Sequence, residues 1–183
     1  MSAAAQDIIT TKLTRHFDTL DVDQDGYLSW ADYKKLADRY IEAYQLAADD
    51  RRARTLMSFF QIYWLELLRH AGVETDRLAK SEFVTANRVA VVDSSRLNVT
   101  EGAAHAIFDV IDVDGDNEIS QGEFARSMRD VWGVAAPDAM DSFARLDLDG
   151  DGAISRQEFI RAVQEHFLSD DPDAPGSLFF GHL

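Results

Sequence analysis

Three stretches of this chain carry carboxylates at the same offsets. Asp21, Asp23 and Asp25 open the first (DVDQDGYLSWAD), Asp112, Asp114 and Asp116 the second (DVDGDNEISQGE), and Asp147, Asp149 and Asp151 the third (DLDGDGAISRQE). Each closes at its twelfth position on another acid: Asp32, Glu123 and Glu158. Acids at positions 1, 3, 5 and 12 wrap oxygen atoms around one point, which suits a hard divalent cation such as Ca2+ with its six to eight oxygen ligands. Position 7 would add a backbone carbonyl, from Tyr27, Glu118 and Ala153. Position 9 holds Ser29, Ser120 and Ser155, which act through water. One acidic turn of this kind is a moderate signal. Three in one register are not a chance pattern.

The flanks repeat as well. Phe17, Phe108 and Phe143 stand four residues before position 1, Leu28, Ile119 and Ile154 occupy position 8, and Tyr33, Phe124 and Phe159 follow position 12. Such an internal repeat defines helix–loop–helix units of the EF-hand kind. In the same register Leu67, Leu78, Glu82 and Phe83 outline a further unit, with loop AGVETDRLAKSE over residues 71–82. Ala71 and Val73 at its positions 1 and 3 offer no side-chain oxygen, and Asp76 stands at position 6, where glycine is usual. This second loop is therefore degenerate and binds no metal at micromolar calcium. Its expected role is structural: Leu78 pairs with Leu28 across a short two-strand contact. The metal-competent loops are thus one, three and four.

The expected fold class is all-α: four EF-hand units in two pairs, compact, with residues 1–93 forming the N-terminal pair and 94–183 the C-terminal pair plus a tail. Helices are expected over about 7–20, 30–47, 50–70 and 80–92, the third beginning at an Asp49 or Asp50 cap. The aromatic run SFFQIYWLELL is expected to be buried. Residues 93–98 read as the linker between pairs. Thr100 and Glu101 start the next helix, Pro137 sits near the start of another, and the last ends near Leu168. Beyond it, prolines and a glycine break the helix before Leu178, Phe179 and Phe180. Three large apolar residues suit a tail folded back into an apolar cleft better than a free end.

Composition narrows the function. The formal charge of −15 disfavours nucleic acid as a partner. Bound cations would offset part of it and stabilise the fold by mass action. With no cysteine, disulfides, thiolate metal sites and cysteine nucleophiles are excluded. The N-terminus lacks the pattern of a signal peptide and of N-myristoylation, and no apolar run reaches membrane-spanning length, so a cytoplasmic monomer without a membrane anchor is expected. No GxSxG, HExxH or phosphate-binding GxxxxGK[ST] occurs, and five histidines are scattered, so an enzyme is not expected.

The live loops one, three and four, the long insertion between loops one and two, the dead second loop and the apolar tail resemble the sarcoplasmic calcium-binding protein group, which includes calexcitin and the bacterial calerythrins. The pattern of live loops is most like the calerythrins. The resemblance covers almost the whole chain. It implies a compact helical protein that buffers or carries cytosolic calcium, with the loop positions above as ligands. Two departures matter. Asp32 stands where the family usually has Glu; being one methylene shorter, it favours six-coordination, weaker calcium binding and tolerance of Mg2+ at loop one. Asn117 replaces the position-6 glycine, in a left-handed conformation that Asn reaches at modest cost. A calcium sensor exposing an apolar groove to an unidentified protein target is the alternative, but four methionines are few for an adaptable groove. The layout also resembles the calcium-triggered photoproteins, a chromophore-binding alternative. The ending Gly-His-Leu departs from their C-terminal proline.

Overall fold

The computed structural model describes residues 7–92 and 99–179. The linker at 93–98, Phe180 and the extreme termini lie outside them. Among the described residues there are eight α-helices and four three-residue strands. Helix α1 (Ile8–Leu20) leads to β1 (Tyr27–Ser29) and α2 (Trp30–Ala43). Helix α3 (Arg51–Ala71) leads to β2 (Arg77–Ala79) and α4 (Lys80–Val92). The second half repeats the order: α5 (Val99–Ile111), β3 (Glu118–Ser120), α6 (Gln121–Asp130), then α7 (Ala136–Leu146), β4 (Ala153–Ser155) and α8 (Arg156–Leu168). A 3₁₀ helix, Pro175–Leu178, follows.

Local chemistry sets the boundaries. Asp7 caps α1 by accepting from the Thr10 amide at 3.2 Å, and Asp50 caps α3 by accepting from the Arg52 amide at 2.8 Å. Ser29, Ser120 and Ser155 begin α2, α6 and α8 as capping boxes with the acid three residues on. Position 12 of each live loop thus serves its helix as well as its loop. Helix α2 stops at Ala43, short of the expected 47. Gln45 adopts φ 52°, and the Leu46 amide donates to the Ile41 carbonyl at 2.9 Å, a Schellman-type ending in a left-handed residue that sequence propensity does not announce.

Each helix buries one stripe. On α3 that stripe is Ala53, Leu56, Phe60, Tyr63, Trp64 and Leu67. The aromatic run is therefore only partly interior: Ile62 and Leu65 point outward, 41% and 57% exposed, because about 100° per residue turns them off the core face. β1 pairs antiparallel with β2, placing Leu28 opposite Leu78, and β3 pairs with β4, placing Ile119 opposite Ile154. All four position-8 side chains are fully buried. The degenerate hand thus completes the first pair as expected.

The two pairs share one apolar core. Helix α3 packs on α5 so closely that a Cβ at Gly102 would stand 2.3 Å from the Phe59 ring. The Trp132 indole donates to the Tyr40 hydroxyl at 3.0 Å, and the Tyr44 hydroxyl donates to the Glu123 carbonyl at 3.2 Å, joining α2 to α6 and the turn beyond it. A central cavity of about 80 Å³ is lined by, among others, His16, Tyr33, Tyr63, Trp132 and Phe179. The tail folds back as expected: Phe179 is buried between the rings of Phe124 and Phe159, at centroid distances of 6.2 and 5.6 Å.

The His16 and His166 rings both line this cavity, with centroids 5.8 Å apart and planes tilted by 57°. Burial pushes the His16 imidazole down to about 4 from an ordinary 6.5. Desolvation, followed by the positive charge that His16 and Lys12 would present, holds His166 well below the ordinary range. Because the folded state binds the proton less tightly, the unfolded chain carries more protons between pH 6.5 and about 4. Stability is therefore expected to fall on acidification through that window and to recover as pH rises. Urea midpoints of metal-free wild type and His16→Phe across it should show the shallower slope in the variant.

Candidate metal centres

Each live loop is a cage of backbone N–H groups around carboxylates. The position-1 aspartates are pinned first. Asp21 accepts from the amides of Asp25 (3.2 Å) and Gly26 (3.1 Å), Asp112 from Gly115 (2.8 Å) and Asn117 (3.1 Å), and Asp147 from Gly150 (2.8 Å) and Gly152 (3.0 Å). Asp23, Asp114 and Asp149 accept from the amide two residues on. So do Asp25, Asp116 and Asp151, from the amides of Tyr27, Glu118 and Ala153 at 2.8–2.9 Å. Those last three residues, at position 7, open β1, β3 and β4.

The loops need left-handed backbone at two places. Position 6 is the expected one: Gly26, Gly152 and Asn117 have φ of 82°, 94° and 70°. Asn117 takes the conformation as anticipated, and its side-chain oxygen accepts from Arg156 Nε at 2.7 Å. Position 4 is the second: Gly115 and Gly150 fill it in loops three and four, but Gln24 holds it in loop one at φ 57°. A side chain there costs backbone energy that glycine does not.

Position 12 separates loop one from the others. In loop three, Glu123 Oε2 accepts from the Ser120 amide and hydroxyl, while Oε1 reaches across the loop to the Val113 amide at 2.7 Å. In loop four, Glu158 does the same with Ser155 and, at 2.8 Å, Leu148. Burial raises the Glu158 pKa, but these hydrogen bonds outweigh it and hold the carboxyl below its usual value. Asp32 keeps only the near half of the arrangement. Its Oδ2 accepts from the Ser29 amide and hydroxyl at 2.9 Å, and Oδ1 pairs with Lys35 Nζ at 3.1 Å. Opposing its burial, those contacts keep its pKa low.

The resulting clusters differ accordingly. Carboxylate oxygens lying within 4.8 Å of one another come from Asp21, Asp23 and Asp25 in loop one, from Asp112, Asp114 and Glu123 in loop three, and from Asp147, Asp149 and Glu158 in loop four. Asp32, Asp116 and Asp151 stand outside these three-residue groups. Loop two forms no such cluster among the described residues. There Glu82 accepts from the Ala79 amide at 2.7 Å, and the Thr75 hydroxyl donates to the Arg77 carbonyl at 3.0 Å. An all-oxygen donor set fits Ca2+ or Mg2+ and not the softer metals that prefer nitrogen and sulfur. The three clusters could hold Ca2+.

The contacts of two loop arginines were not legible from the sequence. Arg156, at position 10 of loop four, bonds Asn117 of loop three, pairs with Asp109 at 2.7 Å and lies 4.1 Å above the Phe108 ring. Arg77 of loop two lies 4.2 Å above the Tyr27 ring of loop one. Each ties one loop to its partner. No local signal marks either arginine, because the pairing brings together residues far apart in sequence.

This fold, with three acidic loops set between paired helices, defines an EF-hand protein. The family model for an EF-hand domain pair matches residues 101–164, and that for an EF hand matches residues 14–37. Within that class the chain is similar to the sarcoplasmic calcium-binding proteins and to calerythrin. It is 29% identical over 177 residues to the sarcoplasmic calcium-binding protein of Perinereis vancaurica tetradentata, covering 97% of this chain and 99% of that one. It is 29% identical over 140 residues to calerythrin of Saccharopolyspora erythraea, covering 74% and 78% of the two chains. These relatives are calcium-binding proteins, not enzymes. Among solved structures, a Streptomyces coelicolor calcium-binding protein described in calcium-mediated regulation superposes with TM-score 0.72 at 27% identity, covering 87% of this chain and 97% of that one. Calcium-loaded apo-aequorin from Aequorea victoria gives 0.74 at 18% identity, covering 90% and 92%, a likeness of fold alone. Among the described residues no helix is long and apolar enough to cross a membrane.

Two substitutions test the loops. Glu158→Gln should remove one calcium from the binding stoichiometry measured by titration calorimetry. Asp32→Glu, long enough to reach the Val22 amide, should tighten loop one for calcium by roughly tenfold, as ligand reach sets EF-hand affinity.

Proposed function

We propose that this protein is a calcium buffer or carrier with three active sites and a surface that stays closed when they fill. Its ligands are the side chains of Asp21, Asp23, Asp25 and Asp32; of Asp112, Asp114, Asp116 and Glu123; and of Asp147, Asp149, Asp151 and Glu158. The carbonyls of Tyr27, Glu118 and Ala153 complete the sets. Loop one, with Asp32 drawn toward Lys35, is the weakest for calcium and the one that tolerates Mg2+. The chain works as a cytoplasmic monomer, organised as one hand pair in 1–93 and another in 94–183.

The observation that carries the buffer reading is Phe179. It fills the space between Phe124 and Phe159, each directly after a position-12 glutamate, where a sensor would open an apolar groove. The core running unbroken through both pairs supports the same reading. The sensor reading draws support from the Streptomyces relative described in calcium-mediated regulation.

Calcium titration in the presence of an apolar dye separates the two, repeated against millimolar magnesium. A buffer gives flat or falling fluorescence while three ions bind. A large calcium-specific rise would replace this reading with the sensor. Adding imidazopyrazinone chromophore and recording no calcium-triggered light would set the photoprotein reading aside.

A further inference from the structure

The tail is held down by a buried lysine from the opposite end of the chain. Lys12 of α1 is 1% exposed. Its ammonium donates to the carbonyls of Glu165 (2.8 Å) and Ser169 (2.7 Å) at the C-terminus of α8, and to the Ser177 hydroxyl in the 3₁₀ helix (3.0 Å). Three donors meet three acceptors, which is what a buried ammonium requires. The end of α8 also presents the negative pole of its helix to that charge. The Ser177 hydroxyl in turn donates to the Asp171 carbonyl at 2.7 Å, and the Gly176 amide donates to Glu165 Oε2 at 3.0 Å.

The fit beneath the tail is specific. A Cβ at Gly176 would stand 2.1 Å from the Ala162 carbonyl oxygen and 2.6 Å from Glu165 Cβ, so glycine alone allows this approach to α8. Three residues later Phe179 enters the aromatic space of Phe124 and Phe159, and its ring also lines the central cavity. The occupying element is a single 3₁₀ turn joined to α8 by a non-helical stretch. Such a turn has no stability of its own and stays only through its contacts. Segments attached this way open at low free-energy cost.

We propose that the cleft between α6, α7 and α8 is a peptide-docking surface whose resident occupant is the chain's own tail, latched by Lys12, and that it accepts instead a partner segment of the same chemistry: an aromatic anchor following a glycine–serine pair. The seated tail is the template for that partner. Glycine gives close approach to α8, the serine hydroxyl engages Lys12, and the aromatic ring fills the pocket between Phe124 and Phe159. The proposal goes beyond calcium uptake and does not depend on it. The latch is built from groups outside the three loops, and its test reads no metal.

Full-length Gly176→Leu should be unable to seat its tail while leaving the cleft walls unchanged. Its apolar-dye fluorescence is expected to rise several-fold over wild type. A synthetic peptide of residues 170–179 should return the signal to the wild-type level in a saturable titration, and wild type should bind the same peptide, fluorescently labelled, more weakly, in competition with its own seated tail. Adding Lys12→Met to the variant should weaken the peptide by roughly tenfold or more, the loss of a charge-assisted contact. Should Gly176→Leu fail to fold, Phe179→Ala removes the anchor without adding atoms and must give the same dye rise and the same rescue. The proposal fails if the dye signal of the variant matches wild type, or if the peptide has no effect. It also fails if a peptide with Phe179→Ala rescues equally. Quenching of the variant by wild-type chain and not by peptide would place a second copy in the cleft, and would equally overturn it.

Discussion

Carboxylates crowded within a few ångströms repel one another, and each live loop holds several of them in that state. The backbone makes this tolerable. Every position-1 aspartate is tied by two loop amides, and positions 3 and 5 each take one more. These N–H groups fix the acids in place. What they leave is a preformed negative site that a hard cation relieves. The left-handed residues at positions 4 and 6, the short strands and the serine-capped helices all follow from wrapping an acidic loop so tightly.

The loops are kept in pairs by contacts that have no metal in them. Leu28 with Leu78, and Ile119 with Ile154, sit fully buried at the centre of each two-strand contact. A loop without carboxylates at positions 1 and 3 can therefore remain useful. The second loop supplies a strand, a buried leucine and an arginine above Tyr27, and its Glu82 survives as a helix cap. Its retention follows from packing, since removing it would leave Leu28 and the first loop without a partner.

Above the pairs, aromatic packing joins the halves. Tyr40 with Trp132, Phe59 against Gly102, and Phe179 between Phe124 and Phe159 link helices from different hands. The residues that follow position 12 in the live loops, Tyr33, Phe124 and Phe159, all sit in this shared core. Any movement of a position-12 acid is thus felt by the packing between hands. The tail lies at that junction, which is why its fate bears on whether the protein merely stores calcium.

The amino-acid sequence by itself determined the repeated loops, their acids, the absence of carboxylates at positions 1 and 3 of the second loop and the pairing through position 8, because these follow from fixed offsets along a short segment. It also marked the tail as too apolar to be free, and Asn117 as able to take glycine's place. It did not reveal that α2 ends in a left-handed Gln45, or that Ile62 and Leu65 turn away from the core, since those depend on which face neighbouring helices cover. Nor did it single out Lys12, Arg77 or Arg156. Their partners lie far away in the chain, and only tertiary packing decides that a lysine of α1 will be buried against the end of α8. Asp32 shows both levels at once. Its missing methylene was visible in the sequence, but only the folded loop, with Lys35 beside it and the Val22 amide donating to the Leu20 carbonyl instead, decided where its carboxylate would go.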